Sequence, residues 1–428
     1  MLDSKAITKI QSIILIAIIV VAAIGAYVLF SGNEQSSDTI KIGVVADIDL
    51  GYGKETLQSV KLAAEQINAE GGLLGRSIEV IGEDDDGGLD PVVKSTALNR
   101  LISYHEVDFI IGAADSTTQE IIAEHKKIFI AVSGSAEVLE QNVLDDYNKY
   151  KYYFTANWNS SCAFLGMTNS LLALRQNTGF NKIGMIGEDL AWVHNSMDGV
   201  NAFLEENGFE VVYKGVFPLD TMDFSSYFAA AEAAGVEGML TLIAVNDGIA
   251  FVKEYHDRQS PVFIFGGLLG SIANLEAWEW TDGKCEDVCV AAVPVAAGYP
   301  FTTKTVPTRE DYFLRYGEYP VTAIGFDILR FILADAIERA STIETDAVIE
   351  ALEETSVETS NARNFVFSPS HGVMMGKNPN DPTANYQIIL GFQWQNGQLL
   401  PVDPIKIMEE AGTSYTFPDW PGPWDDLD

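Results

Sequence analysis

The stretch at residues 39–88 constrains the fold more than any other part of the chain. It begins with a β-branched run at 40–45, turns at 49–53, and continues with apolar residues at helical spacing up to the glycine pair at 71–72. A second apolar strand follows at 78–81. This order predicts a βαβ unit, which requires a parallel sheet covered by helices. Open sheets of this kind bind ligands at the carboxyl ends of their strands, so the pattern also predicts where a site lies.

The same alternation continues along the chain. Strands are predicted at 108–111 and 128–132 with a helix between them, and Asp90 followed by Pro91 is typical of a helix start. A second series of strands and helices begins at 182 without visible sequence repetition of the first. Because 428 residues are too many for one ordinary core, we predict two α/β lobes.

The C-terminal part of the chain has a different pattern. Short strands are predicted at 386–391 and 392–394, close to a turn at Asn396-Gly397 that is typical of hairpins. The last residues, 411–428, are rich in proline and tryptophan. Because proline disfavours both sheet and helix, we expect this tail to lie extended over a lobe.

An uncharged apolar run lies near the N-terminus, at 13–30. It follows Lys5 and Lys9 and precedes a polar linker at 31–38. Its length suits a transmembrane helix and exceeds the usual hydrophobic region of a cleaved signal peptide. We therefore predict an uncleaved anchor, with a short cytoplasmic segment at 1–12 and the rest of the chain outside the membrane. A cleaved signal is the alternative, and it also places the globular part outside.

The charge of the chain is strongly acidic. Its 61 acidic and 26 basic residues give a formal net charge of −35. Such a chain repels phosphates, so nucleic acids and anionic lipid surfaces are poor partners. We interpret the acidity as a solvated surface suited to salty surroundings rather than as a binding device.

The cysteines predict a disulfide, and the known catalytic motifs do not occur. Cys285 and Cys289 could close a small loop in an oxidising compartment, which leaves Cys162 free. The five histidines are far apart in the sequence, so neither a metal site nor a cofactor is predicted. No nucleophile elbow, Walker loop or kinase signature occurs in the sequence, which disfavours an enzyme.

A set of motifs, taken in order, resembles the type I periplasmic binding proteins, in particular the branched-chain amino-acid substrate-binding proteins of ABC importers. The similarity spans about residues 39–405. The similar segments are 41–45, 64–76, 83–91, 111–116, 153–154, 325–327, 394–397 and 402–404.

This resemblance implies an α/β fold with two doubly wound parallel-sheet lobes joined by a three-strand hinge. Such lobes close over one small solute. The crossings between lobes are expected near 153–157, 290–294 and 363–367. The first lobe is then 39–155 plus 293–363, and the second is 156–292 plus 364–410.

The resemblance also implies which residues hold the solute carboxylate. Ser116 and Thr117 lie between a predicted strand and a predicted helix, where free N–H groups and the helix dipole favour an anion. From the residues alone, helix capping by Asp115 or Ser116 is the alternative. In the family, the serine that matches Ser116 holds the ligand carboxylate. Ser133 and Ser135 match the second contact loop.

Two aromatic residues match the walls of the family's ligand pocket. Tyr52 lies in the first glycine-containing turn, and Trp192 follows a strand of the second lobe. A tryptophan in this position is equally well explained as a core residue. The resemblance implies that both side chains enclose the side chain of the solute.

One family feature is missing. Members that bind amino acids carry a carboxylate in the second lobe for the ligand's ammonium, but residues 266–270 read Gly-Gly-Leu-Leu-Gly. Either Asp247, Asp189 or Asp115 takes over this role, or the ligand has no ammonium. Asp247 is the best placed of the three, because it follows a strand of the second lobe.

The resemblance implies capture of an amino acid of the branched-chain type, or of a related amide-like compound, for delivery to ABC permease and ATPase subunits. The lobes would be extracytoplasmic and held at the cell membrane by the N-terminal helix. The alternative is a solute-sensing receptor subunit that signals through a separate protein. The few residues ahead of the predicted anchor leave no room for a signalling domain there, which favours delivery.

Overall fold

The computed structural model describes residues 39–427 except 50, 89, 134–136, 377–385 and 388. The predicted cytoplasmic segment, anchor and linker at 1–38 lie outside the described residues, and so does Ser135. No described helix combines the length and the apolar character that crossing a bilayer requires.

Strands alternate with helices over most of the chain. The strands are β1 (Ile40–Ala46), β2 (Ile78–Asp84), β3 (Phe109–Ala113), β4 (Ile128–Ser133), β5 (Tyr153–Thr155), β6 (Lys182–Glu188), β7 (Glu210–Phe217), β8 (Gly238–Ile243), β9 (Phe263–Leu269), β10 (Cys289–Ala292), β11 (Ser356–Val357), β12 (Phe365–Val366), β13 (Leu390–Gln395) and β14 (Gln398–Asp403). The α-helices are α1 (Gly51–Ala69), α2 (Pro91–Asn99), α3 (Ser116–His125), α4 (Glu137–Asp145), α5 (Tyr147–Tyr150), α6 (Ser160–Thr178), α7 (Ala191–Glu206), α8 (Ser225–Ala233), α9 (Ile249–Arg258), α10 (Ala277–Trp280), α11 (Pro294–Ala297), α12 (Thr305–Tyr316), α13 (Ile324–Asp327), α14 (Ala334–Ala340), α15 (Thr345–Glu353) and α16 (Ile405–Ala411).

The first lobe is built on a parallel sheet with the strand order β2-β1-β3-β4-β5. Alternate residues of β1 pack on opposite faces, because successive side chains of a strand point in opposite directions. Ile40, Ile42 and Val44 lie in one core with α1, α13 and α14, and Val45 lies in another with α2, α3 and α4. The predicted parallel sheet with helices on both faces is confirmed.

The second lobe is built on a parallel sheet with the strand order β7-β6-β8-β9. Its core includes Ile183 of β6 and Leu240 of β8, both fully buried. An antiparallel sheet, β10-β13-β14, adds to this lobe. The turn between β13 and β14 is the predicted Asn396-Gly397, and both residues have the positive φ that such a turn needs.

The late segments of the chain divide between the two lobes. Phe365, Phe367 and Val373 pack in the first core, although the sequence analysis assigns residues from 364 onward to the second lobe. In the tail, Trp420 and Trp424 are buried in the second core, and Trp420 Nε1 donates to the carbonyl oxygen of Ser260 at 2.9 Å. The tail therefore lies on the second lobe.

The predicted disulfide is wrong, because Cys285 and Cys289 are both free and buried. Cys285 lies beside Thr281 in the turn after α10, whereas Cys289 begins β10 near Tyr255 and Tyr415. Each thiol thus packs among its own set of neighbours in the second core, and the two sulfur atoms are not bonded to each other. Burial raises the pKa of Cys285 to about 11 and also raises the pKa of Cys289, so both stay protonated at neutral pH.

Candidate functional site

The predicted contact residues follow the carboxyl ends of strands. The strand order reverses between β1 and β3 in the first sheet and between β6 and β8 in the second, and such reversals form ligand crevices. We name the segments that follow β1 to β4 the first edge and those that follow β6 to β8 the second edge. Tyr52, Ser116 and Thr117 lie on the first edge, and Trp192 and Asp247 lie on the second.

Tyr52 is held across the first edge by its hydroxyl. The hydroxyl donates a hydrogen bond to the carbonyl oxygen of Val132 at 2.9 Å and lies 3.5 Å from Oγ1 of Thr322. Burial is the main cause that raises the pKa of Tyr52, so the phenol is neutral. These contacts fix the ring as a wall of this edge.

The segment after β3 forms the N-terminus of α3. Asp115 caps this helix, because its Oδ1 accepts a hydrogen bond from the backbone N–H of Thr118 at 2.7 Å. Ser116 is exposed at the first helical position, and Thr117 follows it. First-turn N–H groups have no acceptor within a helix, so this helix end can bind an anion.

Ser133 ends β4 next to this helix start. Its carbonyl oxygen accepts a hydrogen bond from the backbone N–H of Ala114 at 3.0 Å, which ties the ends of β3 and β4 together. Ser133 is partly exposed there. Since Ser135 lies outside the described residues, its contact with a ligand stays a prediction.

Glu188 organises the second edge, although it was not among the predicted site residues. The residue is fully buried at the end of β6. Its carboxylate accepts hydrogen bonds from the backbone N–H groups of Ala244, Val245 and Asn246, at 3.0, 2.8 and 2.5 Å. The turn that carries Asp247 is therefore held by the side chain of Glu188. In the sequence, this role is indicated by an acidic residue that ends a mostly apolar strand.

Glu55 has the same role in the first lobe. Its buried carboxylate accepts hydrogen bonds from the backbone N–H groups of Val321, Thr322 and Ala323, at 3.0, 3.0 and 2.8 Å. Burial raises the pKa of Glu55, and these hydrogen bonds oppose the shift. Since Thr322 lies beside Tyr52, Glu55 holds the backbone behind the first edge. Local sequence patterns gave no sign of this role of Glu55.

The second edge exposes apolar side chains. Val245 is 65% exposed and Met222 is 72% exposed, and Leu219 is exposed as well. Asn246 ties these segments together, because its Nδ2 donates to the carbonyl oxygen of Leu219 at 3.2 Å. Trp192 is partly buried and packs against the second core. This edge thus offers a surface for an apolar group.

The three aspartates predicted as partners of a ligand ammonium have different surroundings. Oδ2 of Asp115 lies 3.4 Å from Nζ of Lys94, and Oδ1 of Asp189 lies 2.9 Å from Nε2 of His194. Asp247 is exposed, and its Oδ1 accepts a hydrogen bond from the backbone N–H of Ile249, the first residue of α9, at 2.9 Å. Its second carboxylate oxygen can accept a hydrogen bond from a solute. Over the ranges that the structure describes, no group of three or more acidic, histidine or cysteine side chains is arranged to hold a metal ion.

Two glycines of the stretch at 266–270, Gly267 and Gly270, have no room for a side chain. A Cβ atom on Gly267 would lie 1.8 Å from the carbonyl oxygen of Thr241, and one on Gly270 would lie 2.3 Å from that of Asn246. Both distances are far below van der Waals contact, so a side chain would displace the backbone of the neighbouring segment. Close backbone packing therefore explains the missing acid at these two positions.

Comparisons with known proteins agree with this architecture. A sequence profile of the periplasmic binding proteins matches residues 39–377. The Leu/Ile/Val-binding protein homolog 7 of Brucella abortus is 22% identical over 400 residues, which cover 89% of this chain and 96% of that protein.

Two solved structures with different ligands have similar folds. One is a branched-chain amino acid transporter substrate-binding protein of Streptococcus pneumoniae in complex with isoleucine, with a TM-score of 0.67 and 16% identity over 86% of this chain and 100% of that chain. The other is an ABC transporter solute-binding protein of R. palustris in complex with benzoate, with a TM-score of 0.66 and 14% identity over 85% of this chain and 95% of that chain.

The fold is thus that of a two-lobed solute-binding protein of type I. The chain belongs to the periplasmic binding protein family, which the sequence motifs also indicated. Proteins of this family are solute-binding proteins and not enzymes, and those of ABC transporters bind small molecules and work with permease and ATPase subunits.

Proposed function

We propose that this protein captures a small solute between its two lobes outside the cytoplasm and delivers it to the permease and ATPase subunits of an ABC importer. The solute is an amino acid of the branched-chain type or a related amide-like compound. The observation that carries the proposal is that an exposed helix start at Ser116 lies on the first edge and an exposed carboxylate, Asp247, lies on the second edge.

Charge balance supports an amino acid. An unpaired charge in a closed cleft costs several kcal/mol, so both ends of a zwitterion need partners. Ser116 and the N–H groups of α3 supply donors for a carboxylate, and Asp247 supplies an acceptor for an ammonium. Tyr52 and Val245 supply a wall and an apolar surface for the side chain. The Brucella relative, whose name refers to leucine, isoleucine and valine, supports the same solute class.

A thermal-shift panel on the full chain tests the proposal. Amino acids, amides, urea and small carboxylates are compared, and a solute at 100 times its Kd should stabilise the folded state by about 2.7 kcal/mol. Ser116→Ala and Asp247→Asn should both bind the active solute more weakly than the parent. The matched controls, Ser356→Ala in β11 and Asp198→Asn in the middle of α7, are exposed and should bind like the parent.

Two outcomes would contradict the proposal. The amino-acid assignment fails if only a neutral or purely anionic solute shifts the melting temperature. The site assignment fails if Ser116→Ala binds the active solute as tightly as the parent.

We further propose that residues 13–30 hold the protein at the cell membrane with its lobes outside. The uncharged apolar run and the preceding lysines support this proposal. N-terminal sequencing of native protein should find a start ahead of residue 13. A start near Ser31 would show that the segment is a cleaved signal.

A further inference from the structure

Lys94 is a buried cation beneath the first edge. It lies in the first turn of α2, and its side chain is 3% exposed. Its Nζ lies 3.4 Å from Oδ2 of Asp115 and 3.7 Å from Oδ2 of Asp85. Because a buried ammonium group loses its hydration, such a charge persists only where nearby anions compensate it.

The two acids beside Lys94 differ in their surroundings. Asp85 is 1% exposed. Burial raises the pKa of Asp85, which favours its neutral form. Asp115 is 38% exposed and uses Oδ1 to cap α3, so its Oδ2 is left to face Lys94. The solvent-facing charge next to Lys94 is therefore that of Asp115.

The first edge is otherwise unfavourable for an anion. Asp115 directly precedes Ser116. Asp47 and Asp49 follow β1, Asp84 ends β2, and Asp86 lies just beyond it. Lys54, which also lies at this edge, pairs with Glu318 at 3.0 Å on the exposed surface. An approaching carboxylate would be repelled by Asp115 unless a nearby cation compensated it.

We propose that Lys94 determines specificity at the first edge by neutralising Asp115, so that the N-terminus of α3 accepts a carboxylate in preference to its neutral amide. The inference rests on the proposed function and adds the residue that selects the charge of the solute. Lys94 is buried and acts through Asp115 without touching the solute. Asp115 has two separate roles, because one oxygen caps the helix and the other faces the lysine.

Isothermal titration of the full chain with three acid–amide pairs tests this inference. The pairs are leucine and leucinamide, 4-methylpentanoate and 4-methylpentanamide, and benzoate and benzamide. Lys94→Met keeps the length of the side chain and removes its charge. For a charge a few ångströms from the bound carboxylate, we expect the acid to lose about tenfold or more in affinity and the amide to change by less than about twofold.

The double variant Lys94→Met/Asp115→Asn separates charge from structure. Asparagine still caps the helix, and both charges are gone, so the acid should regain most of its affinity. A purely structural role for Lys94 predicts that the double variant binds no better than Lys94→Met. Asp115→Asn alone serves if Lys94→Met does not fold, and it should bind the acid at least as tightly as the parent.

The inference is overturned if Lys94→Met loses equal affinity for the acid and the amide, or if its affinity for both is unchanged. It is overturned as well if Asp115→Asn binds the acid more weakly than the parent. It is also overturned if the parent binds only amides, although solute capture would then stand. If neither these probes nor the thermal-shift panel yields a solute, the proposed function itself fails.

Discussion

The two edges share a way of holding the backbone and differ in what they expose. On the first edge, Asp115 and Lys94 lie at a helix start, and the surrounding acids make charge the dominant property. On the second edge, Val245 and Met222 are exposed, and the buried Glu188 accepts hydrogen bonds from three backbone N–H groups. We therefore expect the first lobe to recognise the carboxylate of a solute, and the second lobe to contact its apolar side chain and, through Asp247, its ammonium.

The largest expected effect is on stability, and it concerns the buried glutamate that holds the backbone at each edge. Glu188→Ala leaves the N–H groups of three consecutive residues without their acceptor, and we expect a loss of about 3 kcal/mol in the free energy of unfolding. Glu55→Ala should cost a similar amount. Urea denaturation measures both. Glu206→Ala, an exposed control at the end of α7, should change stability by less than about 0.5 kcal/mol. A large difference between the stability losses of Glu188→Ala and Glu55→Ala would show that the two glutamates do not have equivalent roles.

The next effect concerns a buried acid in each lobe. Burial raises the pKa of Asp403 in the second lobe to about 6, and it does the same for Asp327 in the first. Because the pKa of Asp403 is higher in the folded state, its protonated form stabilises the fold. This contribution is fully present below about pH 3.8 and is lost as the pH rises through about 6. The free energy of unfolding of Asp403→Asn, relative to that of the parent, should therefore increase by roughly 2–3 kcal/mol between pH 4 and pH 7.5.

Urea denaturation at the two pH values measures this gain. Ser170 Oγ, which donates to Asp403 at 2.5 Å, can still donate to the asparagine carbonyl. Asp327→Asn should behave in the same way if the two lobes are alike in this respect. An Asp403→Asn variant whose stability relative to the parent does not depend on pH would show that Asp403 titrates normally.

A smaller effect tests the apolar character of the second edge. Val245→Ser should weaken the binding of a solute with a branched apolar chain by roughly fivefold, since about 1 kcal/mol of apolar burial is lost. Binding of a solute without such a chain should hardly change. Val138→Ser, at an exposed position of α4, is the matched control for titration calorimetry. Equal losses for both solutes would assign Val245 a structural role.

The smallest effect concerns the thiols in the second core. Because Cys285 and Cys289 are free and buried, neither should react with iodoacetamide in the folded protein, and both should react in urea without a reductant. Mass spectrometry counts the labels. Failure of the two cysteines to react in urea would indicate the disulfide that the structure lacks.

Local sequence patterns predicted much of the scaffold. The cap at Asp90 is confirmed, since its Oδ1 accepts a hydrogen bond from the backbone N–H of Val92 at 2.8 Å, and the turn at Asn396-Gly397 is confirmed by its backbone angles. Such features depend on residues that are close in sequence. The parallel sheets followed from the alternation of strands and helices, and they placed Ser116 and Asp247 at strand ends.

Only the tertiary structure decided which charged groups are buried and what holds them. Glu188 and Asp189 are adjacent in the sequence, yet the first binds backbone N–H groups 56 to 58 residues away and the second lies at the surface beside His194. Glu55 reaches partners 266 to 268 residues away. Likewise, the buried Lys94 lies beside Asp115, 21 residues further along the chain, because α2 packs against α3. A hydrogen bond or an ion pair to a distant segment depends on how the whole chain folds, and the spacing of neighbouring residues in the sequence does not specify this.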